Sequence, residues 1–233
     1  MAVKKSELYS SLWESCNQLR GGMDASQYKD YVLVVLFVKY ISDRAKSGDP
    51  QLIEVPSGAS FDDLVKLKGK SNIGEEFNKI LNSIAEANDL DGVINVADFN
   101  DETKLGKGKD LVETVSNLIG AFQKPELDFV NNRADNDDLL GDAYEYLMKN
   151  FASESGKSKG QFYTPSEVSR VMAKVIGIHK DTRHSLSIYD PTCGSGSLLL
   201  KAWHETLHPD SASIFGQETD ISNVGMAKRN MVP

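Results

Sequence analysis

One stretch of the sequence, residues 187–200, limits the possible folds more than any other part of the chain. It begins with Ser-Ile-Tyr-Asp, continues through Pro-Thr-Cys-Gly-Ser-Gly, and ends in Ser followed by three leucines. This pattern predicts a short strand, a tight glycine turn and the first turn of an apolar helix. Such a turn presents backbone N–H groups at a helix N-terminus, where they can hold a polar or anionic ligand. Gly194 and Gly196 would let the backbone approach that ligand closely, because they carry no Cβ.

A carboxylate at the end of the predicted strand gives this turn an unusual charge. Asp190 would repel a phosphate and attract a cation, and S-adenosylmethionine carries both an ammonium and a sulfonium. The turn therefore favours this methyl donor as the ligand. A nicotinamide-binding fingerprint would need a third glycine where Leu199 stands, which disfavours an oxidoreductase.

A second acidic residue follows the next predicted strand. Glu218 comes directly after the apolar segment 212–217 and lies 22 residues beyond Gly196. A carboxylate about 20 residues past a glycine turn can accept both ribose hydroxyls of a nucleoside cofactor. Asp220 competes for this role, and we prefer Glu218 because it stands at the strand's end.

Apolar residues at helical spacing dominate residues 1–151 and predict a helical N-terminal domain. Residues 31–38 are continuously apolar and would also suit a buried strand, but the pattern extends through Tyr40 and Ile41 and favours a buried helix. The other predicted helical faces consist of Leu8, Leu12, Trp13 and Leu19, ending at Gly21 and Gly22; Ile73, Phe77, Ile80, Leu81 and Ile84; Leu111, Val115, Leu118 and Phe122; and Leu139, Leu140, Ala143, Tyr144, Leu147, Met148 and Phe151.

The pattern changes after a polar segment rich in glycine and serine, residues 152–160, which predicts a linker. Thr164, Pro165 and Glu167 then give the N-cap, first-position proline and capping-box signals of a helix that Gly177 would end. Strands are predicted at 186–189 and 212–217, and helices at 197–207 and 221–231. This alternation predicts a parallel sheet with helices packed over it, in a second domain spanning residues 152–233.

The net charge of −8 is distributed unevenly. Residues 1–150 hold 17 Lys+Arg against 26 Asp+Glu, a net of −9, whereas residues 151–233 hold 9 against 8. Neither part is the basic platform that is typical of a nucleic-acid-binding domain, so a DNA substrate would need phosphate contacts from another subunit. The start of the chain lacks the apolar core of a signal peptide, and we expect a cytoplasmic protein with no membrane partner.

Other reactive side chains give weaker signals. Cys193 has no histidine placed by sequence to activate it, and a small residue beside a ligand is the better interpretation. His204 and His208 lie four apart on a predicted helix, but no third metal ligand is evident, so we expect no metal site. The acidic run 135–138 is a better helix cap than a calcium loop.

Three segments in this order resemble the motifs of DNA adenine amino-methyltransferases: residues 161–165, 190–197 and 216–218. The closer resemblance is to the modification subunit of type I restriction–modification systems. The helical half is similar to that family too, at Leu12-Trp13 and over residues 28–43.

The resemblance implies a fold and a cofactor site. The fold would be α + α/β, an N-terminal helical domain followed by the start of a Rossmann-like S-adenosylmethionine-dependent methyltransferase domain with a truncated sheet. Within it, the methionine end of S-adenosylmethionine would be covered by Gln161, Phe162, Tyr163, Thr164 and Pro165. The amino-acid portion would be held by Asp190, Gly194, Ser195, Gly196 and Ser197, and the ribose by Glu218.

The resemblance also implies an activity and partners. The family transfers a methyl group to the exocyclic amino group of adenine in DNA. It works with a specificity subunit and a restriction subunit, with two methyltransferase subunits in each complex. The N-terminal helical domain is associated with contacts to DNA and to the specificity subunit.

One family motif is missing from the sequence. Family members carry Asn/Asp-Pro-Pro-Phe/Tyr beyond the second strand, which grips the amino group and stacks on the flipped-out base. Here Asn230 is followed by Met231, and no catalytic residue can be assigned. We expect the 233 residues to be the N-terminal part of a longer enzyme and inactive alone; the alternative is a non-catalytic helical interaction module with a nucleoside-binding half-domain.

Overall fold

The structure is a computed structural model. It describes residues 5–17, 19, 25–47, 53–130, 143, 146–147, 149–151, 164, 166–219, 224–225, 227–228 and 231. The chain divides into two compact units, residues 1–155 and 156–233. The predicted boundary after residue 151 stays a prediction, because the linker that follows it lies outside the described residues.

The first unit is helical, as predicted. Its described helices are α1 (Lys5–Cys16), α2 (Ala25–Ser47), α3 (Phe61–Val65), α4 (Ile73–Ala87), α5 (Glu102–Leu105) and α6 (Lys109–Ala121), with a 3₁₀ turn at Pro125–Leu127. Across the described ranges, no helix combines the length and the apolar character that crossing a bilayer requires.

Helix α2 lies at the centre of this unit. Every side chain from residue 31 to residue 38 is buried, so the continuous apolar run forms a helix that is covered on all sides. The helical interpretation of this run is therefore confirmed over a strand. The neighbouring faces on α4 and α6 are confirmed too: Ile73, Phe77, Leu81, Ile84, Leu111, Val115, Leu118 and Phe122 are buried, while Ile80 is half-buried.

The structure differs from the sequence-based expectations at α1 and α5, and several predicted residues of this unit lie outside the described ones. Helix α1 ends at Cys16, before Gly21 and Gly22, because the N–H groups of Asn17 and Leu19 bond to carbonyls three residues back in a tighter turn. Helix α5 forms in a segment without helical periodicity, because the Asp101 carboxylate accepts from the N–H groups of Thr103 and Lys104. Ala143, Leu147 and Phe151 are buried, as predicted. The other residues named in these predictions lie outside the described residues: Gly21, Gly22, Leu139, Leu140, Tyr144, Met148 and the run 135–138.

From residue 166 to residue 216 the second unit has the predicted order of elements, whereas most of the predicted helix 221–231 lies outside the described residues. It contains α7 (Ser166–Val175), β1 (Ser187–Asp190), α8 (Ser197–His204) and β2 (Ser213–Gly216). The strands are parallel, with Ser187 opposite Ser213 and Asp190 opposite Gly216. Helix α7 ends as expected, since Gly177 adopts a left-handed conformation with φ of +76°.

Helix α8 is shorter than predicted. It ends at His204. The hydroxyl of Thr206 donates to the carbonyl oxygen of Trp203, and the indole N–H of Trp203 donates to the carbonyl oxygen of Pro209. These bonds bend the chain away from the helix before His208. The expectation that His204 and His208 share a helix is therefore wrong, and the His208 ring instead stacks on that of His184 at 4.0 Å.

Candidate functional site

The glycine turn joins the carboxyl end of β1 to the first residue of α8. Gly194 and Gly196 both have positive φ, +55° and +80°, a region that residues with a Cβ adopt with strain. The Gly196 N–H donates to the carbonyl oxygen of Cys193 at 2.8 Å and closes the turn. The first N–H groups of α8, those of Ser197 and Leu198, have no acceptor within the helix and lie at the positive end of its dipole.

The two glycines have different surroundings. A Cβ built on Gly194 would meet no atom within 4 Å, so open space adjoins the turn at this position. A Cβ built on Gly196 would lie 3.0 Å from Met231 Cε and 3.6 Å from Ala227 Cα. Gly196 therefore lets the turn pack against the segment that contains Ala227, whereas Gly194 leaves room for a ligand.

Both predicted carboxylates lie at the carboxyl edge of the sheet. Asp190 is the last residue of β1, and its Oδ1 accepts from the N–H of Thr192 at 2.9 Å. Glu218 follows β2 by two residues, and its Oε1 accepts from the N–H of Thr219 at 2.7 Å. Strand pairing continues past β2, because the Gln217 N–H donates to the carbonyl oxygen of Asp190 at 2.9 Å. The competing residue, Asp220, lies outside the described residues.

Cys193 lies between these carboxylates. Its N–H donates to the carbonyl oxygen of Gln217 at 2.9 Å, which ties the turn to the end of β2. The pKa of the Cys193 thiol is raised by partial burial, and further by the negative charges of Asp190 and Glu218. The thiol is therefore protonated at neutral pH, which argues against a nucleophilic role.

The segment 161–165 is described at one residue only. Thr164 lies outside the helix, and its carbonyl oxygen accepts from the hydroxyl of Ser197 at 3.3 Å. This bond places Thr164 at the start of α8. Gln161, Phe162, Tyr163 and Pro165 lie outside the described residues, and Ser195 is buried within the turn.

Gly216 is a residue of this site whose importance the sequence pattern did not reveal. A Cβ built on it would lie 2.8 Å from Cys193 Sγ and 3.2 Å from Leu199 Cδ1. This close approach depends on a contact between two elements that are distant in sequence. The only local signal was a glycine at the end of a predicted strand, which can mark a close approach of other atoms to the backbone.

We expect Gly216→Ala to destabilise the second unit by about 1–3 kcal/mol, because the added methyl group would displace the Cys193 side chain. Cys193→Ala in the same chain should restore much of this loss, since it removes the sulfur atom that the methyl group meets. Urea titration followed by Trp203 fluorescence, in a Trp13→Phe background, measures both effects. Equal losses with and without Cys193→Ala would contradict the explanation.

The site offers both signs of charge around one turn. Asp190 and Glu218 can hold a cation or accept from hydroxyls, and the N-terminus of α8 can hold an anion. An α-amino acid group carries an ammonium and a carboxylate on one carbon and fits this combination. A nucleoside that bears such a group would also present ribose hydroxyls toward the second carboxylate.

Two family models match the chain, one to each part. The HsdM N-terminal domain matches residues 8–122, and the N-6 DNA Methylase family matches residues 135–232.

Individual proteins agree with these matches. The chain is 29% identical over 270 residues to the type I restriction enzyme MpnII methylase subunit of Mycoplasma pneumoniae, an alignment that covers 95% of this chain and 49% of the relative. It is 26% identical to the EcoKI methylase subunit of Escherichia coli K12, covering 86% of this chain and 35% of the relative.

A solved structure gives the same result. The type I restriction-modification methyltransferase subunit of Streptococcus thermophilus superimposes with a TM-score of 0.74 at 26% identity, covering 98% of this chain and 56% of that one. The chain spans about half the length of the curated relatives it matches. The two family models, the curated relatives and the superposition agree with one another. Together they show that the chain belongs to the family of type I restriction enzyme methylase subunits.

Proposed function

We propose that this chain binds S-adenosylmethionine at the glycine turn and holds it for methyl transfer to the exocyclic amino group of adenine in DNA. The observation that carries the proposal is the placement of Asp190 and Glu218 around one turn, at the carboxyl edge of a parallel sheet. Ligands of open parallel sheets bind outside the carboxyl ends of the strands, which is where these carboxylates stand.

The two carboxylates, the start of α8 and residues 161–165 each have a role in this proposal. Asp190 receives the ammonium group, and the first N–H groups of α8 receive the carboxylate of the same amino acid portion. Glu218 accepts from the ribose hydroxyls. Residues 161–165, whose Thr164 is bonded to Ser197, cover the methionine end. The bound cofactor would supply the methyl group.

The proposal separates cofactor binding from methyl transfer. The 233 residues contain no Asn/Asp-Pro-Pro-Phe/Tyr sequence, so they lack the side chains that would hold and stack the flipped-out adenine. We therefore infer that this chain binds the cofactor without transferring the methyl group by itself.

Partners complete the proposed enzyme. The net charge of −9 over residues 1–150 provides little attraction for DNA phosphates. We infer that the specificity subunit supplies most DNA contacts, in a complex with a restriction subunit and two methylase subunits.

Asp190→Asn tests the central charge of the site. The asparagine oxygen can still accept from the Thr192 N–H and preserve the turn, but it carries no negative charge for the ammonium group. We expect the dissociation constant for S-adenosylmethionine, measured by calorimetry, to rise about 10- to 100-fold, the effect of losing one charged hydrogen bond.

Asp210→Asn is the matched control, because Asp210 is an exposed carboxylate of the same unit, away from the turn, and its loss should leave the dissociation constant unchanged. Undiminished binding by Asp190→Asn would show that Asp190 shapes the turn only. No binding by the unsubstituted chain would contradict the proposed function itself.

A further inference from the structure

Gln217, the residue directly before Glu218, is bonded to β1 and to the glycine turn by three hydrogen bonds. Its N–H donates to the carbonyl oxygen of Asp190 at 2.9 Å, and its carbonyl oxygen accepts from the N–H of Cys193 at 2.9 Å. Its side-chain Oε1 accepts from the hydroxyl of Tyr189 at 2.8 Å. Through Gln217, the strand end that carries one carboxylate of the site is bonded to the strand end that carries the other.

The Tyr189–Gln217 bond lies on the face of the sheet opposite the glycine turn. A Cβ built on Gly216 would lie 2.8 Å from Cys193 Sγ, so position 216 faces the turn. Side chains alternate along a strand, and the next residue, Gln217, therefore faces away from the turn. Tyr189 also faces away, because Ile188, the residue before it, packs against the core of the unit. Neither member of the bonded pair lies on the face of the proposed cofactor site.

The backbone bonds and the side-chain bond of Gln217 restrict different movements. The backbone bonds lie in the plane of the sheet and set the distance between the two strands. They restrict less strongly a rotation of the strand end about its own axis. The bond to Tyr189 lies to one side of that plane, so it resists this rotation. Because Glu218 follows Gln217 directly, such a rotation would change the separation of its carboxylate from that of Asp190.

We propose that Tyr189 and Gln217 are positioning residues, which fix the separation of the Asp190 and Glu218 carboxylates and thereby the affinity for a ligand that contacts both. The inference rests on the proposed function, in which the ammonium group and the ribose of one molecule bind these two carboxylates. A ligand held at two points binds more weakly when their separation fluctuates, because part of the binding free energy then orders the site. A ligand held at one point does not depend on the separation.

Tyr189→Phe tests this role, because it removes only the hydroxyl group. We expect the dissociation constants for S-adenosylmethionine and S-adenosylhomocysteine, measured by calorimetry on the full chain, to rise about three- to tenfold, the effect of one hydrogen bond between neutral groups. The dissociation constant for adenosine, which has the ribose but no amino acid portion, should change by less than about twofold. A general loosening of the second unit would instead weaken the binding of all three ligands alike.

A double-mutant cycle connects the effect to the bond itself. Gln217→Met keeps the length of the side chain and removes the acceptor, so it should raise the same two dissociation constants to a similar extent. Tyr189→Phe combined with Gln217→Met should raise them no further. Tyr40→Phe is the matched control, because its hydroxyl accepts from Arg44 in the first unit and its loss should leave all three dissociation constants unchanged. Circular dichroism checks that the variants remain folded.

Three results would overturn the positioning role alone: an unchanged affinity of Tyr189→Phe for S-adenosylmethionine, an equal loss of affinity for adenosine, or additive losses in the double variant. In each of these cases the unsubstituted chain still binds S-adenosylmethionine, and the proposed cofactor site stands. No binding of S-adenosylmethionine by the unsubstituted chain would overturn the proposed function, and the positioning role with it.

Discussion

Replacing Asp43 by alanine is expected to lower the free energy of unfolding of the first unit by about 3–5 kcal/mol, the effect of removing one partner of a buried ion pair. The Asp43 carboxylate is almost fully buried at the C-terminal part of α2, and its Oδ2 accepts from Lys39 Nζ at 2.6 Å. The same oxygen accepts from the N–H of Phe129 at 3.0 Å, a residue 86 positions away. The substitution would leave the Lys39 ammonium group, whose side chain is 12% exposed, without its carboxylate, and the buried N–H of Phe129 without this acceptor.

The measurement is urea unfolding followed by Trp13 fluorescence in a Trp203→Phe background, since these are the two tryptophans of the chain. Asp62→Ala is the matched control. Asp62 forms an ion pair with Lys46, which lies on α2 as Asp43 does, with 2.7 Å between Asp62 Oδ2 and Lys46 Nζ. Both side chains of this pair are about half exposed. Its loss should change stability by about 0–1 kcal/mol.

A double variant separates charge from hydrogen bonding. Lys39→Met with Asp43→Asn removes both charges and retains an acceptor for the Phe129 N–H. The free energy of unfolding of this double variant should lie within about 1–2 kcal/mol of that of the unsubstituted chain. Equal losses for Asp43→Ala and Asp62→Ala would contradict the proposed importance of burial.

The sequence could predict what periodicity encodes. The apolar faces of α4 and α6 and the order of elements in the second unit follow from residues that are neighbours on one helix or strand. The buried run 31–38 was ambiguous within itself, and only its continuation through Tyr40 and Ile41 indicated the helix that is observed. Helix α5 was missed because a single capping carboxylate, Asp101, determines it.

The candidate site was predictable where its chemistry is local. The glycine turn and its position between β1 and α8 could be inferred from consecutive residues. The packing of Gly196 against Ala227 and the approach of Gly216 to Cys193 could not, because each joins segments that are distant in sequence. The sequence likewise could not show that large apolar side chains of α7, such as Val171 and Val175, are exposed.

Gly74 provides the second large effect, which also arises from a contact between distant segments. A Cβ built on this residue, in the first turn of α4, would lie 2.4 Å from the carbonyl oxygen of Phe99 and 3.0 Å from Asn100 Cα. These are backbone atoms, which cannot rotate away as the end of a side chain can. We expect Gly74→Ala to destabilise the first unit by about 3 kcal/mol or more, because the opposing segment cannot retreat without losing its own contacts.

Those contacts hold the segment from several sides. The Phe99 ring stacks on Phe77 at 3.7 Å and meets Tyr31 edge-on at 5.1 Å. The Phe99 N–H donates to Asn78 Oδ1 at 2.9 Å, and the Tyr31 hydroxyl donates to the carbonyl oxygen of Asp98 at 3.0 Å. Moving the segment to admit a methyl group would weaken this whole set of interactions.

Gly120→Ala is the matched control for this prediction, as the same substitution in another helix of the same unit. A Cβ built on Gly120 of α6 would lie 3.2 Å from Lys68 Nζ, the end of a flexible side chain that can shift. Alanine favours a helix over glycine by about 1 kcal/mol, so Gly120→Ala should be neutral or slightly stabilising. Trp13 fluorescence during urea unfolding measures the free energy of unfolding of both variants. If Gly74→Ala were as stable as Gly120→Ala, the segment at Phe99 would move more easily than its contacts imply.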